Sequence, residues 1–335
     1  MRILVVGGAG YIGSHMTKLL REEGHEAVVL DNFSSGFRDA VAGAEAIEAD
    51  LAERAQLERV FAARRFDGVM HFASCIQVGE SVASPAKYYR NNVVGSLNLL
   101  EAMLRHGVAR IIFSSSAAVY GEPRRARIDE LHPKAPVSPY GRTKWMIEQV
   151  LGDFDRAYRL RYSCLRYFNA AGAAPDATLG ERHEPETHLI PLALRAASGG
   201  LPALAVFGTD YATPDGTCVR DYVHVEDLCR AHLLALERLV GGASSRAYNL
   251  GNGSGFSVGQ VIASVRRVTA RQVPLLQAAR RAGDPARLVA DCRRARSELG
   301  WRPRYAELDI IVAHAWAWEQ RQNRNRALAE TRLYA

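Results

Sequence analysis

The first thirteen residues restrict this chain more than any other stretch. Arg2-Ile3-Leu4-Val5-Val6 reads as a buried strand, and Gly7-Gly8-Ala9-Gly10-Tyr11-Ile12-Gly13 follows at once. From Tyr11 the apolar spacing turns helical and runs to residue 23. A glycine turn between strand and helix lets the backbone come close to a pyrophosphate, and the helix N-terminus behind it offers free N–H groups and a positive dipole end. A second short apolar run, Val28-Val29-Leu30, ends on Asp31, eighteen residues past Gly13. A carboxylate there accepts hydrogen bonds from both ribose hydroxyls and repels a 2′-phosphate, so the pattern predicts NAD rather than NADP. Glycines alone are weak evidence, but strand, glycines, helix, strand and acid in this order are specific.

Strand and helix go on alternating behind this start. Strands are expected at Arg2–Val6, 27–30, 46–48, Gly68–His71, 110–114 and 163–166, with helices at 11–23, 54–64, 85–105 and 140–158. Alternation with short links predicts right-handed crossovers and an α/β fold, a Rossmann-type doubly wound parallel sheet covered on both faces. Ligands of such sheets sit at the carboxyl ends of the strands. Asp50-Leu51, Phe72-Ala73-Ser74 and Ser114-Ser115-Ser116 all fall there. After Asn169 the pattern loosens into loops rich in Ala, Gly, Pro and charge, which suits a smaller C-terminal α/β lobe. The expected division is an NAD-binding domain over 1–168 and a substrate domain over 169–335, with parts of 221–250 packing back onto the first.

The net charge of +7 rests almost wholly on arginine, since only Lys18, Lys87, Lys134 and Lys144 among the 43 basic residues are lysine. The basic residues are spread along the chain and the densest run, 321–332, is broken by Asn, Ala and Glu, so no nucleic-acid partner is expected. No apolar run is long enough for a membrane span, and the N-terminus lacks the layout of a signal peptide. Cys75, Cys164, Cys218, Cys229 and Cys292 are scattered and odd in number, without metal spacing. A cytoplasmic protein with free thiols, no membrane association and no metal is the expectation.

The scarcity of lysine makes Tyr140-Gly141-Arg142-Thr143-Lys144 informative. Tyr and Lys four apart project from one helix face. A phenol with a pKa of ~10 is a poor base at neutral pH, and an ammonium nearby stabilises the phenolate and lowers that pKa. Ser116 ends the preceding serine-rich strand, where its hydroxyl can bond a substrate hydroxyl beside the phenol. Ser114 and Ser115 are assigned to strand-end turn chemistry.

Taken together, these motifs resemble the extended short-chain dehydrogenase/reductase family and, within it, the nucleotide-sugar epimerases. The resemblance covers nearly the whole chain. It rests on GGAGYIGSH (7–15), LDN (30–32), HFAS and VGESV (71–74 and 78–82), YYRNNVVGS (88–96), FSSSAAVYG (113–121), SPYGRTK (138–144), RYFNAAGA (166–173), HLIP (188–191), the long run AVFGTDYATPDGTCVRDYVHVEDL (205–228), YNLGNGSGFSV (248–258) and RAGD (281–284). The long run is the part most specific to nucleotide-sugar epimerases.

The resemblance implies site roles. Gly7, Gly10, Tyr11, Ile12 and Gly13 would hold the pyrophosphate of NAD, Asp31 and Asn32 its adenosine ribose, and Asp50 and Leu51 its adenine. Phe72, Ala73, Asn91, Tyr140, Lys144 and Phe168 would contact the rest of the cofactor. Ser116, Tyr140 and Lys144 would be catalytic. Ser116, Tyr140, Asn169, His188, Leu189, Ala205, Phe207, Arg220, Tyr222, Arg281 and Asp284 would line the UDP-sugar site. His188 stands where relatives carry asparagine, Ile76 where some carry lysine, and Leu288 where the family varies residue size around the sugar.

The implied reaction inverts C4 of a UDP-hexose, interconverting UDP-glucose and UDP-galactose through a 4-keto sugar with NAD held throughout. UDP-N-acetylhexosamines and UDP-pentoses are alternative substrates. A dehydratase or decarboxylase would need an acid beside the catalytic serine, where this chain has Ala117 and Ala118. A non-catalytic NAD-binding relative would be expected to have lost Tyr140 or Lys144. A homodimer is also implied, built on helices 85–105 and 140–158 through Leu97, Leu100, Met103, Leu104, Met146 and Val150.

Overall fold

The computed structural model describes residues 1–281 and 284–333. Its centre is a seven-stranded sheet in which every neighbouring pair is parallel. The spatial order is Arg246–Leu250, Arg161–Tyr167, Arg110–Ser116, Gly68–His71, Arg2–Val6, Glu26–Asp31, Glu45–Glu48. The chain starts near the middle, builds outward to Glu45–Glu48, then returns to the other side of Arg2–Val6. The order reverses between Arg2–Val6 and Gly68–His71, and a crevice opens there at the carboxyl ends of the strands.

Burial on both faces explains the near-continuous apolar strands. On one face Met16 and Leu20 of helix Tyr11–Glu22, with Leu228, Leu233 and Leu236 of helix Val225–Val240, pack on Ile3, Val5, Ile112 and Leu165. On the other face Leu57 and Phe61, Leu99 and Met103, and Ile147 and Leu151 cover Leu4, Val6, Val69 and Phe113. A third core joins helices Leu189–Ser198, Val258–Thr269 and Leu308–Leu333 around Ile190, Leu194, Val261, Val265, Ile311 and Val312. Among the described residues no helix is long and apolar enough to cross a membrane.

Local differences from the sequence-based expectation have physical causes. Strand Arg110–Ser116 runs two residues past residue 114, because it stays paired with its neighbour as far as Ser116 opposite Tyr167. Helix 85–105 is interrupted. A short helix Pro85–Tyr88 passes into a π-helical turn, Tyr89–Val94, before α-helix Gly95–Arg105, and a further helix, Val78–Ala83, precedes them. The widened turn carries Asn92, whose buried amide accepts from Cys75 N–H (2.8 Å) and donates to Cys75 C=O and the Thr143 hydroxyl (3.1 Å each). π-Turns of this kind are common at functional sites. Leu100 and Met103, expected on an outer dimer face, are buried in the core instead, while Val94 and Met146 keep large exposed surfaces.

Buried polar groups join the segments. Asp221 accepts from the backbone N–H groups of Asn252 (2.5 Å), Gly253 and Ala290 (2.9 Å each), which pins the late loops. Glu148 and Arg166 form an ion pair with side chains only 4% exposed. The Arg166 Nε donates to Glu148 (2.9 Å), its Nη1 donates to the Tyr120 hydroxyl (2.8 Å), and Tyr120 in turn donates to Asn249 (2.6 Å). Ser115 donates to the same Glu148 carboxylate at 2.5 Å. Removing one partner of a buried pair strands the other charge and costs ~3–5 kcal/mol. Arg166→Leu is therefore expected to move the urea-unfolding midpoint down by the equivalent of ~3–5 kcal/mol. A midpoint shift worth less than about 1 kcal/mol would show that Glu148 is relieved by other groups.

Candidate active site

The glycine turn is shaped for a close-lying ligand. Gly7 has φ 77°, and a Cβ on it would run into the backbone N of Ala73. A Cβ on Gly13 would run into the carbonyl oxygen of Gly7. The turn is thus packed onto the end of the next strand, where the N–H groups of Phe72 and Ala73 donate to Val6 C=O at 2.7 and 3.1 Å. Helix Tyr11–Glu22 begins after Gly10 with no side-chain cap and no acid in its first turn, which leaves its dipole end for an anion.

Asp31 is 8% exposed and accepts from the N–H of Ala9 (2.9 Å) and of Phe33 (2.8 Å), so its carboxylate is held against the turn. Asn32 donates to Asp50 at 2.8 Å, and Leu51 C=O accepts from Asn98 at 2.9 Å. A cradle closed to any Cβ, an uncapped helix start and an adjoining carboxylate fit a dinucleotide. Ile12 packs against the first core, while the Tyr11 hydroxyl reaches across the crevice to Gly172 C=O at 2.7 Å. Asn91 donates to the Asn92 side chain at 2.9 Å, which places it on the π-turn beside the strand ends.

The catalytic candidates meet at the end of strand Arg110–Ser116. Ser138 caps helix Pro139–Tyr158 by accepting from Gly141 N–H at 3.1 Å, and Pro139 opens its first turn, one residue before the expected start. Tyr140 and Lys144 then face inward from the same helix. Burial raises the Tyr140 pKa, and a hydrogen bond with the Ser116 side chain pulls it the other way. Lys144 is 2% exposed and donates to Ser74 Oγ (2.7 Å) and Ser114 C=O (2.8 Å). Its Nζ stands 4.9 Å from the Phe113 ring centre and 5.8 Å from that of Tyr140. Burial pushes its pKa down to about 7.

The sequence reading expected the ammonium to lower the phenol pKa. In the protein alone desolvation dominates both groups, because Lys144 is buried and Tyr140 is largely withdrawn from water. Ser74, given no role from sequence, is the side chain that holds Lys144. The other three lysines are partnered away from this point: Lys18 with Asp176, Lys87 with Glu80, and Lys134 with Glu130 C=O.

The candidate nucleotide-sugar residues gather on the later chain. Strand Val219–Arg220 pairs with Arg287–Leu288 and Phe256–Ser257. Arg220 forms an ion pair with Asp284, and the Arg281 guanidinium lies 4.0 Å over the Phe207 ring. A backbone hydrogen bond joins the two pairs, Asp284 N–H donating to Arg281 C=O at 3.2 Å; Ala282 and Gly283 lie outside the described residues. Asn169 pairs with Tyr222, and Ala205 lies on strand Leu204–Phe207. Tyr222 and Leu189 belong to the third core, so their side chains form a wall more than a polar contact. Leu288 packs with Trp145 and Phe168 against Ala117, Val119, Tyr120 and Ile128, on the side of the catalytic strand end.

His188 is not free to face a diphosphate through Nδ1, which lies 2.8 Å from Glu181 and 3.0 Å from Glu186. With His183 these residues make a four-group cluster that the sequence reading missed. The available signal was E-x-H-x-x-E-x-H within eight residues, 181–188.

Comparison with known proteins agrees with this geometry. A model of the NAD dependent epimerase/dehydratase family matches residues 3–251. The chain belongs to this family. It is 48% identical over 320 residues to the UDP-glucose 4-epimerase of Halalkalibacterium halodurans, covering 96% of each chain. Among solved structures of the NAD dependent epimerase/dehydratase family, the UDP-glucose 4-epimerase of Brucella ovis in complex with NAD is 50% identical, with a TM-score of 0.92 over 94% of this chain and 97% of that one. The Bifidobacterium longum UDP-glucose 4-epimerase in complex with NAD+ and UDP is 37% identical, with a TM-score of 0.90 over 96% of this chain and 98% of that one.

NAD is accordingly expected to co-purify with the protein and to appear in the supernatant after acid precipitation. Gly13→Ala should lose most of it, since the added methyl displaces the Gly7 carbonyl. NADP as the main species, or a Gly13→Ala variant as loaded as its parent, would overturn the assignment of this turn.

Proposed function

We propose that this chain inverts C4 of a UDP-hexose and so interconverts UDP-glucose and UDP-galactose. The observation that carries this reading is the meeting of Ser116, Tyr140 and Lys144 at the carboxyl edge of the sheet, with the arginine, carboxylate and aromatic pairs of Arg220, Asp284, Arg281 and Phe207 on separate, later parts of the chain. Such a division suits a substrate gripped by its nucleotide and turned at its sugar. Related structures carry NAD and UDP, which supports the same reading.

In this proposal Arg220 and Arg281 bind the diphosphate, for which planar guanidinium donors are well matched. Phe207 stacks on the uracil and Asp284 accepts from ribose hydroxyls. The Tyr140 hydroxyl takes the proton of the C4 hydroxyl, and Ser116 orients that hydroxyl by a hydrogen bond. When bound, NAD would supply the acceptor and donor of hydride at C4, and positive charge beside Tyr140 would favour its phenolate. Lys144, fixed by Ser74 and Ser114, would add positive charge on the same side and help hold the cofactor. The keto sugar swings about its bonds to the anchored UDP, presents its other face, and Tyr140 returns the proton. Net redox change is zero, so the cofactor need not exchange. Ala117 and Ala118 leave no acid beside Ser116, which disfavours elimination across C5.

Incubation with UDP-galactose should yield UDP-glucose without added NAD. Tyr140→Phe should cut turnover by ~10²–10⁴-fold, as loss of a general base does, while NAD stays bound. Activity within a few-fold of the parent would assign the proton to another group.

Leu288 is expected to tune the sugar accepted. It packs beside the catalytic strand end, and an N-acetyl group at C2 needs volume there. Leu288→Tyr should lower kcat/KM for UDP-N-acetylgalactosamine more than for UDP-galactose, and Leu288→Ala should do the reverse or change little. Overpacking costs ~1–3 kcal/mol, enough for about tenfold discrimination. An unchanged ratio in both variants would mean that Leu288 does not face the sugar.

A further inference from the structure

We propose that Glu181, His183, Glu186 and His188 form a binding site for a divalent transition metal ion of the zinc class, which rigidifies segment 181–188 beside the glycine turn. One ligand atom from each residue lies within 4.8 Å of all the others. Four ligands about 2.0–2.1 Å from a tetrahedral zinc stand about 3.3–3.4 Å from one another. The separations here bracket that edge. His188 Nδ1 is 2.8 Å from Glu181 Oε1. His183 Nδ1 is 3.3 Å from Glu181 Oε1 and 3.8 Å from Glu186 Oε2. Two imidazoles with two carboxylates are a donor set suited to zinc and related first-row ions.

A second observation points to a ligand. Glu186 Oε2 and His183 Nδ1 are buried and make no hydrogen bond. The Glu186 side chain is 1% exposed and that of Glu181 6%. Buried polar atoms are ordinarily paired, and two adjoining carboxylates out of water need positive charge. Among the described residues neither is ion-paired to arginine or lysine. Arg182, between them in sequence, turns away to Asp39 and the Phe37 ring. The Glu186 Oε1 atom is already fixed by the N–H groups of Thr187 (2.8 Å) and His188 (2.9 Å), which leaves Oε2 to coordinate.

The placement gives such an ion a structural task. The His183 ring meets Tyr11 of the glycine turn edge-on at 6.3 Å. Trp318 Nε1 donates to Glu181 C=O at 3.1 Å. The ion would fix the shape of segment 181–188 itself, whose His183 ring and Glu181 carbonyl carry these contacts to the glycine turn and the last helix.

The test uses full-length protein with its bound NAD. It is grown with zinc, dialysed, and analysed for metal by mass spectrometry. Chelator-treated protein is then titrated with Co2+ and its visible d–d absorption recorded. About one zinc per chain is expected, along with the strong d–d bands of four-coordinate cobalt and no thiolate charge-transfer band. His183→Gln and Glu186→Gln should weaken binding by more than the roughly 10–100-fold seen when only a supporting residue is lost. Both should keep the parent's circular dichroism. A parent that takes up neither zinc nor cobalt overturns the proposal and leaves the cluster as an ion-paired group held by protons. Zinc retained by both variants, or a thiolate band, also overturns it by placing the metal elsewhere, for instance on Cys75. Should a variant fail to fold, the parent's cobalt spectrum decides alone.

Discussion

The buried contact between Glu148 and Arg166 is the constraint on which the candidate active site depends. Glu148 stands one helical turn after Lys144, on the helix that also carries Tyr140. Arg166 lies on the neighbouring strand, two residues before Phe168. Their pairing sets that helix against the sheet. The shared hydrogen bond from Ser115 fixes the strand end whose next residue is Ser116. Through Tyr120 and Asn249 the same network reaches the strand contributed by the later chain. An apolar substitute would pack there but would not set the rotation of the helix, and the phenol has to meet one hydroxyl. Buried ion pairs contribute little net stability, so the direction they impose is the better account of this one.

The parts of the fold governed by local rules were legible in the sequence. The glycine turn, the apolar strands and the amphipathic helices each follow from neighbours a few residues apart. The turn proposed to hold NAD was legible for the same reason, as Gly7, Gly13 and Asp31 lie within one βαβ unit. What stayed hidden depends on contacts between distant residues. Ser74 meets Lys144 across 70 positions, and nothing around Ser74 announces it. The π-turn at Tyr89–Val94 exists because Asn92 is drawn to Cys75 and Thr143, whereas the apolar period alone reads as one helix. The reading of Leu100 and Met103 as surface had a similar origin, since periodicity gives a stripe but not the side of the helix that the sheet covers.

The titration behaviour of Tyr140 and Lys144 was the least legible part. Proximity of phenol and ammonium suggests mutual stabilisation, and the spacing is right for it. The structure adds that Lys144 is buried and Tyr140 mostly so, and each disfavours its charged form. A site of this kind is poised so that charge brought by a ligand decides protonation. The residues were readable and their balance was not, because desolvation depends on everything packed around them.

The strand Arg246–Leu250 has a consequence for how the molecule is made. It completes the central sheet beside Arg161–Tyr167, yet it is synthesised about 80 residues later. Helix Val225–Val240, which covers one face of the same sheet, also arrives late. At ~5–20 residues per second a ribosome needs several seconds to span that gap. Throughout it the emerging chain presents an unpaired strand edge and an uncovered apolar surface, both open to wrong partners. The arrangement that ties the two halves of the site together therefore also makes the nascent protein dependent on chaperones, or on speed, for its last step.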